Sequence, residues 1–244
     1  SPGCGKDQPK DPRYMGDYGV GNGHSFALMG YACPIHTLHS MIGPTYEKDE
    51  AFFPDTSMTL RIGGAEPLQV QEGHIFRVRR SAIMITREVF ANITLHTITF
   101  APIPQESGDL LHQSIIRIVL LRNTTTTSIK GVALHVLKAE SLLNKQSRSL
   151  QVLAPTTGFR EKESLFELDE ISPNEEKKVV FAYVMNKKDA GNDAVKKALQ
   201  KSDVDRLLET TRNAWATSLK EAAVLKTPDH RVNDLYEGML ITTL

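Results

Sequence analysis

The chain has 244 residues, 40% of them hydrophobic, and its 29 basic and 29 acidic residues cancel. That balance argues against a general role on polyanions, because nucleic-acid binding rests on a basic surplus or a basic face. No apolar run approaches the roughly 20 residues that cross a bilayer as a helix, and the length suits one large or two small domains.

Residues 1–23 read as an extended polar segment. Cys4 follows a small residue and precedes Gly5-Lys6-Asp7-Gln8-Pro9-Lys10, a pattern similar to the mature start of a lipid-anchored bacterial protein. Ser1-Pro2-Gly3 fits the positions before such a site poorly, and no signal sequence is visible. Cys4 and Cys33 are the only cysteines, too few for a disulfide framework. Gly16, Gly19, Gly21 and Gly23 precede a predicted strand, so they offer a phosphate no helix N-terminus, and loop flexibility is their better use.

From Ser25 to about Met185, short runs rich in Ile, Val, Thr and Phe alternate with period two, the pattern of half-buried strands. Ten strands are expected, over 25–31, 57–62, 74–80, 82–90, 92–100, 113–122, 129–138, 149–153, 164–168 and 177–185. Turn chemistry separates them at Gly63-Gly64, Pro102-Ile103-Pro104, Ser107-Gly108-Asp109, Pro155-Thr156-Thr157-Gly158 and Ser172-Pro173-Asn174. Thr124 to Thr127 reads as a hairpin loop. No long helical period interrupts the strands, which argues against a parallel sheet of βαβ units. The predicted fold is mainly β, a large antiparallel β-supersandwich over 24–186 followed by C-terminal linker helices over 187–244.

After Asn186 the period becomes helical. A short helix is expected over 193–201, and Ser202 with Asp205 makes a capping-box-like start for a second. Val204, Leu207, Leu208, Thr211, Trp215, Leu219 and Ala222 recur at three- and four-residue steps and mark its buried face, to about Ala223. Thr227-Pro228-Asp229 then starts a third helix, with Thr as N-cap and Pro first. Its late Met239, Leu240, Ile241 and Leu244 come without the Gly, Asn or basic residues that end helices, so its apolar side is expected to pack on further sequence.

Several short words resemble one family. Gly21-Asn22-Gly23-His24, Gly43-Pro44-Thr45-Tyr46 and Phe52-Phe53-Pro54-Asp55 resemble the opening of the N-terminal, galactose-mutarotase-like supersandwich of carbohydrate-active enzymes. Those enzymes carry catalysis on a following (α/α)6 barrel, as in the glucoamylase and glucodextranase type and the cellobiose and maltose phosphorylase types. The Trp215 helix, Leu225-Lys226-Thr227-Pro228-Asp229 and a helix with Asn233, Leu235 and Leu240 are similar to the junction with the first barrel helix. The resemblance implies a non-catalytic domain that supports or caps a barrel belonging to the same polypeptide. It also implies a contribution to homodimer contacts, as in some phosphorylase relatives. Trp215, Leu235, Met239 and Leu240 are then interdomain packing residues. The general acid of such enzymes is a barrel Glu, so no catalytic residue, cofactor or nucleic-acid partner is expected here.

The remaining chemistry is sparser. Cys33, His36 and His39 have a metal-like spacing, but Pro34 favours extended backbone at Cys33 and no fourth ligand is evident, so no metal site is expected. His24, Tyr46, Glu47, Asp49, Phe52, Phe53 and Asp55 bring aromatic and acidic groups to one irregular stretch. Aromatic faces stack on sugar rings and carboxylates accept their hydroxyls, so this stretch is a carbohydrate or interdomain contact candidate, with packing against the sandwich itself or the barrel the preferred use of the two Phe. Asn92-Ile93-Thr94 and Asn123-Thr124-Thr125 fit the glycosylation pattern, which is too short to carry an argument.

Two alternatives give the sandwich its own function, as a stand-alone carbohydrate-binding protein or as an aldose-epimerase-like enzyme. The second needs a His acid and a Glu base in one cleft, and His74, His96, His112, His135, Glu72 and Glu88 lie on or beside predicted strands.

Overall fold

The computed structural model describes residues 18–22, 25–29, 38–39, 56–103, 110–138, 150–152, 159–160, 165–184 and 189–243. The described strands are β1 (Tyr18–Gly21), β2 (Phe26–Met29), β3 (Leu38–His39), β4 (Thr56–Ile62), β5 (Glu72–Arg77), β6 (Met84–Val89), β7 (Ile93–Phe100), β8 (Ser114–Asn123), β9 (Ile129–Lys138), β10 (Leu150–Val152), β11 (Phe159–Arg160), β12 (Leu165–Ile171) and β13 (Glu176–Val184). They pair antiparallel in two sheets. The first has the order β1-β2-β3-β4-β9-β12-β11 and the second β10-β13-β8-β7-β6-β5. Helices α1 (Asp189–Gln200), α2 (Val204–Ser218) and α3 (His230–Thr243) follow. The fold is therefore mainly β, an antiparallel sandwich with a helical end, as its alternating strands predict.

Period-two patterning decides what each sheet face does. Met58 and Leu60 of β4, Val132, Leu134 and Val136 of β9, and Phe166 and Leu168 of β12 turn inward from the first sheet. They meet Ile93 and Leu95 of β7, Ile115, Val119 and Leu121 of β8, and Val179 and Phe181 of β13. Phe166 and Phe181 stack across the gap with ring centroids 5.9 Å apart. On β8 and β13 several of the intervening residues are apolar as well. Ile116 and Ile118 of β8, with Val180 and Ala182 of β13, join Val195 and Leu199 of α1 in a second core, against which Leu207 and Leu208 of α2 pack. This explains why β8 reads Ile-Ile-Arg-Ile-Val-Leu-Leu with almost no alternation: it is covered on both faces. A third cluster joins Ala82, Trp215 and Leu219 to Ile241 of α3.

Strands β8 and β9 are consecutive in sequence but lie in different sheets. The expected hairpin at Thr124 to Thr127 is thus an arch between layers, tied by Asn123, which is fully buried. Its amide donates to the carbonyls of Thr127 and Ile171, at 2.8 and 2.9 Å. Its side-chain oxygen accepts from the backbone N–H and the hydroxyl of Thr125, each at 2.8 Å. A glycan cannot be added to this amide without breaking the arch.

Other boundaries moved for local reasons. Gly19 and Gly21, read as loop residues, lie in β1. The strand expected to reach Arg80 ends at Arg77 because Arg80 takes a left-handed conformation (φ 55°) in the following turn. Helix α1 starts four residues before expectation, at Asp189. Asp203, not Ser202, caps α2, accepting from the N–H groups of Asp205 and Arg206 at 3.1 and 3.2 Å, while the Ser202 hydroxyl closes α1 on the Ala198 carbonyl at 2.7 Å. At α3 the Asp229 carboxylate accepts from the Arg231 N–H at 3.0 Å, and Thr227 instead bonds Asn233 and the Asp229 carbonyl. An acceptor aimed at free N–H groups, rather than position in a sequence word, decides which residue caps.

Gly131 carries a geometric demand within β9. Its φ is +67°, and a Cβ there would lie 3.3 Å from the Gly63 backbone. Gly131→Ala is expected to cost about 1–3 kcal/mol from the strained conformation alone, measured as a fall in the urea midpoint. An unchanged midpoint would show that the strand relaxes at no cost.

Candidate functional site

Three adjacent strands of the first sheet build a trough on its outer face. Because Val132, Leu134 and Val136 of β9 face inward, Gly131, Ala133 and His135 face out. Thr59 pairs with His135 and Arg61 with Ala133 from the β4 side, while Leu165 and Glu167 pair with the same two residues from β12. Strands are spaced about 4.8 Å apart, so β4 and β12 form walls roughly 10 Å from each other with β9 as the floor. Along that floor the side chains shrink from imidazole to methyl to hydrogen, which opens a cavity of about 820 Å³. Arg61 stands on one wall, Glu167 and Asp169 on the other, and the Gly63-Gly64 turn beside Gly131 forms one end. Arg61 Nε and Thr59 Oγ1 are buried with no hydrogen-bond partner.

A second feature lies at the helical end. Helix α3 is fixed to the β5 end of the sandwich by one face. Arg77 donates to the Asp234 carbonyl and its guanidinium lies over Gly238, where a Cβ would approach it to 2.6 Å. Glu237 accepts from the Arg80 N–H at 3.3 Å and meets Arg79 Nε at 3.4 Å. Ile241 and, in part, Leu240 bury on the same side with Trp215. At three- and four-residue steps on the opposite side, Val232, Leu235 and Met239 are 44, 66 and 59% exposed. The four residues expected at an interdomain contact therefore divide, with Trp215 and Leu240 packed within this unit and Leu235 and Met239 turned outward.

The other anticipated groups scatter. His24, Tyr46, Glu47, Asp49, Phe52, Phe53 and Asp55, like Cys33 and His36, lie outside the described residues. Among the described residues no three His, Cys, Asp or Glu groups are placed to share a metal ion, and no helix is long and apolar enough to cross a membrane. Of the His and Glu set, Glu88 is buried between the sheets, while His74 and His96 sit on the opposite face of the second sheet. Glu72 contacts His74 on the edge strand β5, and that bond leads the interactions holding its carboxyl below the usual range. His135 lines the trough together with the carboxylates Glu167 and Asp169, not with Glu72 or Glu88.

His96 carries a pH-dependent effect. Burial, then the Arg87 charge, pushes its imidazole below the ordinary value, with Arg122 adding to this and Glu176 opposing it. A depressed folded value means the unfolded chain takes up the proton first, so this contribution is complete above about pH 6.5 and is lost as pH falls through the folded value. His96→Gln is expected to flatten the decline in urea midpoint below pH 6.5. An identical decline in both proteins would remove His96 as its source.

No known family model matches the chain, and no curated protein matches its sequence.

Proposed function

We propose that this chain is the non-catalytic supersandwich and helical linker of a carbohydrate-active enzyme of the (α/α)6-barrel type. The outer stripe of α3 is the seat of that barrel. One observation carries the reading: of the six exposed large hydrophobics among the described residues, five lie between Val224 and Met239, at the end where such a barrel would follow. Concentrated apolar exposure of this kind marks an interaction surface more often than chance placement does. The short words around Gly21, Gly43, Phe52 and Pro228 supply the carbohydrate-active context. On this reading the chain alone turns over neither glycosides nor sugar phosphates.

The test uses the full-length gene product carrying Leu235→Asp with Met239→Asp. Charges on the seat should uncouple the layers, splitting one thermal transition into two and reducing glycoside hydrolysis or phosphorolysis, while the same pair leaves the sandwich transition in place. A single unshifted transition with full activity would remove α3 as the seat.

A further inference from the structure

We propose that the trough on the outer face of the first sheet binds a neutral sugar through its hydroxyl groups. The assignment goes beyond the barrel-docking reading and rests on the trough alone. Failure of either therefore leaves the other standing.

The lining constrains the ligand in three ways. Arg61 can only donate hydrogen bonds, whereas the carboxylates of Glu167 and Asp169 accept them. These two kinds of group stand on opposite walls, so one ligand must accept on one side and donate on the other. Hydroxyl groups do both. A purely apolar ligand would strip water from Arg61 and both carboxylates without replacing it.

Charge narrows the class further. The lining sets two carboxylate side chains, Glu167 and Asp169, against the single guanidinium of Arg61, an acidic excess that disfavours an anionic sugar. A cationic sugar would satisfy the carboxylates but would set its charge against Arg61 across a narrow floor. Neutral polyhydroxylated rings avoid both conflicts.

Shape agrees with this chemistry. The volume of about 820 Å³ lies within the range of small-molecule sites and admits one or two sugar rings. Ala133 and Gly131 leave the floor open, and Leu165, paired with His135, offers apolar surface to ring carbons. Arg61 Nε is buried without a hydrogen-bond partner, which leaves an unmet donor in the wall beside the trough. His135 closes one end and either donates or accepts according to its tautomer.

The experiment is titration calorimetry of the whole chain with glucose, galactose, mannose, maltose and cellobiose, alongside glucuronate and glucosamine. The expected result is saturable binding of at least one neutral sugar in preference to the charged pair. Ala133→Phe fills the floor from the outward face and should abolish binding with an unchanged circular dichroism spectrum. Glu167→Gln and Arg61→Met, which keep the walls' shape, should each weaken binding about tenfold, the loss of one charge-assisted hydrogen bond. If Ala133→Phe disturbs the fold, those two wall variants decide. No saturable binding of any neutral sugar, a preference for glucuronate or glucosamine, or full affinity in folded Ala133→Phe or in both wall variants would overturn the proposal.

Discussion

Replacing Trp215 with Ala is expected to lower stability by about 3–5 kcal/mol, the usual cost of emptying a large buried aromatic site. The indole is 6% exposed and sits in a cluster with Ala82, Leu219 and Ile241, where α2, α3 and the β5–β6 turn meet. Ile103, Ala222 and Leu240 pack around that cluster. One turn earlier, Thr211 accepts from the Ile103 N–H at 3.4 Å, so the loop after β7 is held to the same helix. Losing the indole would loosen three elements together. Its Nε1 is buried without a hydrogen-bond partner, so the side chain serves by volume. Trp215→Phe should therefore cost far less than Trp215→Ala, because it keeps most of the contact and removes an unsatisfied donor. Urea unfolding followed by far-ultraviolet circular dichroism separates the cases. Equal losses in the two variants would show that the indole N–H has a role that packing does not describe.

Asn123→Ala is the second large effect, at about 3 kcal/mol. The arch between the sheets depends on one amide that satisfies two carbonyls from different segments, Thr127 and Ile171. Removing it strands two acceptors at about 1–3 kcal/mol each, and it frees Thr125 from its anchor. The surrounding backbone tightens the dependence. Asn123 N–H donates to Glu175, Thr124 N–H to Asn92 and Asn174 N–H to Asn123, at 3.1, 3.0 and 3.2 Å. Two of these connections meet at Asn123, and the third holds its neighbour Thr124. Asn123→Asp adds a sign test, because a carboxylate cannot donate to either carbonyl and its charge is buried. Its deficit should narrow as pH falls and the carboxyl takes a proton, whereas the Ala deficit should not track pH in that way. An Ala variant within about 0.5 kcal/mol of the parent, the range of ordinary surface changes, would show that the arch holds itself.

The strands were legible where one face is buried and the other is not. In β7, Ile93, Leu95, Thr97 and Thr99 alternate with residues of the opposite face, and period two alone locates the strand. The strand at 129–138 was placed to the residue. Three short strands were not legible, β1, β3 and β11, with four, two and two residues, whereas β2 and β10, of four and three, lie within the expected runs 25–31 and 149–153. Sheet membership was not legible either. Successive strands β8 and β9 look like a hairpin until the pairing of β9 with β4 and β12 is known.

The same reason hid the trough. Arg61, His135 and Glu167 each read as ordinary polar positions on a strand's outer face. Nothing local says that β4, β9 and β12 are neighbours, because that depends on how the whole sandwich closes. His135 is among the anticipated histidines, but the carboxylates beside it are Glu167 and Asp169 rather than Glu72 and Glu88. By contrast, the α3 stripe was readable because Leu235 and Met239 recur at helical spacing on a single element. The period could not tell which apolar residues turn inward, and Arg77 against Gly238 decides that.

The reading frame beyond the codon for Leu244 tests the central claim most directly, since it gives the sequence that succeeds α3 in the gene product. A long continuation with helical-hairpin periodicity and inward-facing carboxylates is the predicted result, and it would place catalysis on the domain seated against Leu235 and Met239. A stop at that point, or a continuation without helical periodicity, would contradict the account and leave those residues to another partner.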